Sequence, residues 1–189
     1  MDLSIILILL AALIVIVIPV TIYNRLVRNR NQIDNAFGAI DAMLKKRYDL
    51  LPNLVETVKR YAAHESQTLT QLTGLRAGKG YQELDPTAKA GFDREFTAAA
   101  RSFFALAENY PDLKASENFL QLQRTLNETE EQLSAARRTY NAAVTEYNNS
   151  AQTFPSSLIA GLFGFGPRKV LEIPQEERAT PDLKKMFDN

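Results

Sequence analysis

Residues 3–24 read LSIILILLAALIVIVIPVTIYN, 22 residues without a charged side chain. At 1.5 Å per residue a helix of this length covers about 33 Å, enough to cross the roughly 30 Å hydrocarbon core of a bilayer. A core helix this long in a soluble protein would normally carry a polar face. Here only Ser4 and Thr21 interrupt the apolar run, and each can bond back to its own helix backbone. The stretch therefore predicts a transmembrane helix. Three features separate it from a cleaved signal peptide: Asp2 is the only charge ahead of it, the run exceeds the usual h-region, and no A-x-A-like site follows. Pro19 lies near the far end, where a kink is tolerable, and Tyr23 stands where an interfacial aromatic belongs. Arg25 and Arg28 follow, with Arg30 behind them, so the positive-inside rule predicts that the rest of the chain stays in the cytoplasm.

About 165 residues remain beyond the span, one domain's worth and enough for a core. Lys plus Arg and Asp plus Glu number 22 each, so no strong field favours nucleic acid. With no cysteine, disulfides, thiolate metal ligands, a Cys nucleophile and a lipobox anchor are excluded. One histidine and no tryptophan make a poor inventory for metal or acid-base chemistry.

The pattern after the span is helical. Ile33, Phe37, Ile40, Leu44, Tyr48 and Leu51 recur at threes and fours, so the first soluble helix continues the transmembrane one. Asp49-Leu50-Leu51-Pro52 predicts a turn or strong kink, since Pro52 lacks an N–H and disfavours helical geometry at Leu51. A second helix from Asn53 would place Leu54, Val58, Tyr61, Leu69 and Leu72 on one side, until Gly74, Gly78 and Gly80 dissolve it into a loop. Asp85-Pro86 starts a third helix, with Phe92, Phe96, Ala99, Phe103, Leu106 and Tyr110 on its face. From Phe119 to Phe154 a fourth keeps a three-four, coiled-coil-like rhythm for five heptads, which Pro155 ends. The reading is all-α: a transmembrane anchor over 1–24 continuing into an antiparallel up-down four-helix bundle over 25–154. In such a bundle the fourth helix returns to the membrane, and there stands the uncharged SSLIAGLFGFG, within an apolar juxtamembrane segment 155–167. Leu158, Leu162, Phe163 and Phe165 then meet the bilayer surface beside Tyr23, or else cap the end of the bundle. The tail 168–189 reads as extended or disordered, with Arg168 and Lys169 placed for headgroups.

The chemistry-bearing candidates are sparse. His64 has no second histidine four residues on, because position 68 is Thr, so a zincin-type metal site is not supported. Asp34, Asp41, Arg47 and Asp49 lie on or near the packing face of the first helix, where polar pairs set register more often than they catalyse. GLRAGKG lacks the phosphate-loop spacing. Asn53, Tyr61, Asn141 and Tyr147 are candidates for recognition or, more in keeping with their setting, for polar ties.

Two blocks, YNRLVRNRNQIDNAFGAIDAMLKKRYDLLPNLVETVKRYAAHE and ENFLQLQRTLNETEEQLSAARRTYNAAVTEYNNSAQTFPSSLIAGLFGF, together resemble the paired signatures of the LemA family. The motif positions include Asp49, Pro52, Asn53, Tyr61, His64 and Glu65 in the first block, and Tyr140, Asn141, Tyr147, Asn148, Phe154 and Pro155 in the second. The resemblance implies a membrane-anchored helical bundle of the bacterial cell envelope, without known enzymatic activity and with no catalytic residue to carry over. The expectation is thus a single-pass inner-membrane interaction or scaffolding module that is not an enzyme and uses no cofactor, metal, nucleic acid or small-molecule substrate. Its expected partners are the lipid bilayer and either further copies of itself or other membrane proteins. A membrane-organising role is the first alternative. The alternative from another class is a metal-dependent enzyme using Asp41, His64 and Glu65.

Overall fold

The apolar run does open a helix, and that helix outruns its expected boundary. In the computed structural model, which describes residues 3–76, 81–84 and 86–171, α1 extends over Leu3–Tyr61, 59 residues or about 88 Å. The turn expected at Pro52 is not there. A proline inside a helix costs about 3 kcal/mol, but the apolar rhythm continues past it, and Leu51, Leu54 and Val58 are fully buried. Burial of each contributes about 1.5–3 kcal/mol, which outweighs the break. The chain instead turns over Ala62–Glu65, where the Glu65 N–H donates to the Ala62 carbonyl at 3.0 Å and the Ser66 N–H to that of His64 at 3.0 Å.

After the turn come α2 (Ser66–Arg76), which runs through Gly74, a 3₁₀ turn (Tyr81–Glu83), α3 (Pro86–Ala107), the short α4 (Pro111–Ala115), α5 (Glu117–Gln152) and α6 (Ser156–Leu162). Gly78, Gly80 and Asp85 lie outside the described residues. No strand occurs among the described residues. The third and fourth helical patterns form over most of their length: Phe92, Phe96, Ala99, Phe103 and Leu106 of α3 are buried, as are Phe119, Leu122, Leu126, Thr129, Leu133, Val144, Tyr147 and Ala151 of α5, but Tyr110 falls beyond the end of α3 and Phe154 lies exposed beyond the end of α5.

The chain divides into two compact units. One comprises the residues up to Phe37 and those from Arg137 onward, and the other comprises Gly38–Ala136. In the first unit Leu26 and Ile33 of α1 pack with Val144, Tyr147 and Ala151 of α5, and the cluster is closed by Ala160 and Phe165. Asn29 lies inside it and donates from Nδ2 to Ser150 Oγ at 2.9 Å, while the rings of Phe37 and Tyr140 meet edge to face at 6.1 Å. The apolar side chains of α1 between Leu3 and Val20 touch no such core and stand exposed along the helix. The second unit is built round the aromatic contacts of Tyr48, Tyr81, Phe92 and Phe96 and of Phe103, Phe104 and Phe119.

Candidate functional site

The first unit holds the chain's exit from its apolar span. Leu3 to Tyr23 at 1.5 Å per residue is about 31 Å, so if the span crosses a bilayer from its first residue, Tyr23 marks the far hydrocarbon boundary. The Tyr23 ring lies 4.9 Å from that of Phe163 and 5.6 Å from that of Phe165. The end of the apolar segment that follows the last long helix is therefore beside the far end of the apolar span.

The residues of this segment differ in exposure. Phe154, Leu158, Leu162 and Phe163 are exposed at 81%, 66%, 77% and 56%, whereas Phe165 is 9% exposed and packs with Ala160 in the core. The sharp change of direction comes from Gly164, at φ 71°, following the C-cap Phe163. A left-handed residue here lets the Phe165 N–H reach back to the Ala160 carbonyl at 2.9 Å, the long bond of a Schellman cap, and turns the Phe165 ring inward. Arg30 places its guanidinium over that ring at 5.5 Å. Arg25 pairs with Glu146 at 3.0 Å on the surface, and Arg28 is exposed.

Beyond Phe165 the chain runs as an extended strap along α5. The Tyr147 hydroxyl donates to the Gly166 carbonyl at 3.0 Å. Asn148 donates from Nδ2 to the Arg168 carbonyl at 2.8 Å and accepts from the Arg168 N–H at 2.9 Å. Asn141 grips Leu171 in the same two-fold way, at 2.9 and 2.8 Å. The spacing explains the pairing. Asparagines seven apart on a helix are about 10.5 Å apart along its axis, and three residues of extended chain span about 10 Å. Two side-chain amides thus replace the neighbouring strand that an extended backbone needs. Asn141 and Tyr147 are ties, and the strap begins at Gly166, inside the expected 155–167 segment; residues 172–189 lie outside the described part.

In the second unit the polar residues of α1 are also taken up in ties. Asp41 Oδ1 accepts from the Tyr81 hydroxyl at 2.8 Å and from Lys89 Nζ at 2.7 Å, and Lys89 also sits over the Tyr81 ring at 4.7 Å. The Lys89 bond holds the Asp41 carboxyl below its ordinary range against the opposing effect of burial, with help from Tyr81. Burial and then the Asp41 bond push the Tyr81 phenol up. Arg47, 2% exposed, pairs with Asp93 at 2.6 Å and with Glu130, and lies over the Phe96 ring at 5.5 Å. Asp49 pairs with Lys45 one helical turn back, at 2.6 Å.

Pro52 is half-buried within α1. Asn53 and Tyr61 line an open cleft of about 350 Å³ with Glu56, Arg60, Asn118 and Gln121. His64 is exposed in the turn after α1, and Glu65 accepts from the Tyr110 hydroxyl at 3.0 Å, which raises that phenol. Asp41 and Tyr61 are twenty residues apart on one helix, or about 30 Å. Asp41 cannot share a metal with His64 and Glu65, so that enzymatic alternative is withdrawn. Among the described residues no group of three or more His, Asp or Glu side chains is placed to hold a metal ion.

The residues missed in sequence are the partners: Tyr81, Lys89, Asp93 and Glu130 for the α1 polar groups, and Gly164 for the strap, where Asn148 is a motif position with no role read for it. The seven-residue repeat of Asn141 and Asn148 is the signal that could have revealed the clamp.

The profile of the LemA family matches residues 36–184. The chain is 26% identical to Protein LemA of Metamycoplasma hominis over 86% of its own length and 74% of that protein's. It is 27% identical to Magnetosome protein MamQ 2 of Paramagnetospirillum magneticum and 23% identical to Magnetosome protein MamQ of Magnetospirillum gryphiswaldense. Each of these two matches spans 66% of this chain but only 55% of the magnetosome protein. None of these names is that of an enzyme. With the profile covering most of its length, the chain belongs to the LemA family.

Proposed function

We propose that this protein is a membrane-anchored, non-enzymatic interaction or scaffolding module. One observation carries the reading: the candidate polar side chains Asp41, Arg47, Asn141 and Tyr147 are spent on internal ties, while the apolar length of α1 and the apolar stripe of α6 stand exposed. Such an arrangement fixes position at a membrane and offers little with which to transform a substrate. The helices pack as an antiparallel up-down bundle in this proposal. Its support is that α1 and α3 residues pair in rising order, Asp41 with Lys89 and Arg47 with Asp93. By contrast, α1 and α5 pair in opposite order, Asn29 with Ser150 and Phe37 with Tyr140. Arg25, Arg28 and Arg30 at the foot of the span favour the cytoplasmic side of a bacterial inner membrane. Protease digestion of the tail in sealed vesicles of known orientation checks that side. The partner is a second copy or another membrane protein, and crosslinking of the full chain in native membranes followed by affinity capture tests it. A discrete, saturable crosslinked species supports the proposal, and a chain that remains solitary at every crosslinker concentration contradicts it.

The exposed α6 stripe specifically favours a second reading, in which the protein organises the lipid around it. Charged replacements at Leu162 and Phe163 should then abolish its effect on liposomes while leaving the helices folded.

A further inference from the structure

We infer that α6 docks into the leaflet at the foot of the anchor, with its apolar stripe at the hydrocarbon boundary and the basic groups around it on anionic phospholipid headgroups. The inference rests on the anchor reading and goes beyond it by fixing the depth, the residues and the lipid class.

Depth follows from α1 acting as a ruler. If the span begins at Leu3, Tyr23 stands at the hydrocarbon boundary, and Phe163 lies 4.9 Å from it, so the C-terminal end of α6 stands at the same level. Orientation follows from the cap. Gly164 and the Phe165-to-Ala160 bond turn Phe165 into the core, leaving Leu158 and Leu162 one turn apart on the outer face of α6, with Phe154 exposed in the turn ahead of it. Four large apolar side chains more than half exposed, continuous with the exposed span of α1, have acyl chains as the neighbour that matches their chemistry. Charge follows from composition. Residues 24–33 hold Arg25, Arg28 and Arg30 and no acidic group, and residues 139–171 hold Arg168 and Lys169 against the single Glu146, which is paired with Arg25. The Asn148 clamp keeps Arg168 on the unit. A surplus of cations next to an apolar wedge suits an anionic leaflet.

The absence of native cysteine makes the test direct. The full chain, carrying Leu162→Cys or Leu158→Cys labelled with an environment-sensitive fluorophore, is reconstituted in vesicles of phosphatidylcholine with phosphatidylglycerol. The label should be quenched by acyl-chain-brominated lipid and shielded from aqueous iodide, whereas the same label at exposed Ala142 of α5 should show the reverse. Spin-labelled phosphatidylglycerol should be retained by the protein several-fold over spin-labelled phosphatidylcholine, and Arg28→Glu with Arg168→Glu and Lys169→Glu should remove that preference. Labels at both α6 positions as open to iodide as Ala142, in a chain that resists alkaline extraction, overturn the inference and leave the anchor standing. Equal retention of the two lipids by the unsubstituted chain overturns the headgroup assignment. Release of the chain by alkali overturns both the anchor and the inference.

Discussion

Removing the strap's asparagine clamps should loosen residues 166–171 without unfolding the helices. Asn148→Ala deletes two bonds to Arg168 at an exposed position, and Asn141→Ala deletes two to Leu171 at a half-buried one. A net bond contributes about 0.5–1.5 kcal/mol, with exposed bonds at the low end, so the losses are about 1 and about 2 kcal/mol. Opening of the strap is a local event, and each 1.4 kcal/mol is a factor of ten in its equilibrium. The Arg168 amide should therefore exchange with solvent deuterium about fivefold faster in Asn148→Ala, and the Leu171 amide about thirtyfold faster in Asn141→Ala. Asn148→Asp retains the acceptor for the Arg168 N–H and loses only the donor, so it should fall between wild type and alanine. Hydrogen exchange by mass spectrometry on the full chain in nanodiscs reads all three. Exchange at both amides within twofold of wild type in the alanine variants would show that the clamps do not hold the strap.

Pro52→Ala should raise stability, by up to about 3 kcal/mol less the packing of the half-buried ring, because it restores a helical hydrogen bond inside α1; a denaturant midpoint that fell would instead indicate a turn at this position. Gly164→Ala should cost about 1–2 kcal/mol in left-handed strain, since nothing lies near enough for a steric clash, and should speed exchange of the Phe165 amide that closes the α6 cap. The Asp41 carboxyl is held below its ordinary 3.8 in the folded state, so the stability it contributes is present above that value and lost as pH falls below it. Asp41→Asn should flatten the acid limb of the stability curve, and an unchanged limb would place the ionisation elsewhere. Arg47→Ala should be among the most damaging single changes, at about 3 kcal/mol, the low end for breaking a buried pair because Glu130 is half-exposed, since it removes a buried guanidinium that pairs with Asp93 and Glu130 and packs on Phe96. Arg47→Met with Asp93→Leu should recover much of that loss in a denaturation series.

Long elements were legible in the residues because their periods are long. The α3 and α5 faces follow from rows of Phe and Leu recurring at threes and fours, and the apolar span follows from length alone. The Pro52 boundary misled because a local preference of about 3 kcal/mol loses to the burial of Leu51, Leu54 and Val58 around it. The true turn at Ala62–Glu65 carries neither Gly nor Pro. Asp41 and Arg47 could be read as polar residues on a packing face, but their partners lie forty or more residues away, and spacing along one helix cannot reveal them. In the 155–167 segment composition gave the apolar character, whereas the division between a buried Phe165 and an exposed Leu162 depends on one glycine in a left-handed conformation.

The central claim is that the apolar span and the end of the last long helix meet at one level of the membrane. Treating native membranes with a short bismaleimide, in cells making the full chain with Tyr23→Cys and Phe163→Cys, tests it with no other cysteine in the chain to compete. The account predicts an efficient link within a single chain, seen as one product that stays joined after proteolysis between the two positions. Two free cysteines, each reactive alone but never joined within one chain, would contradict it.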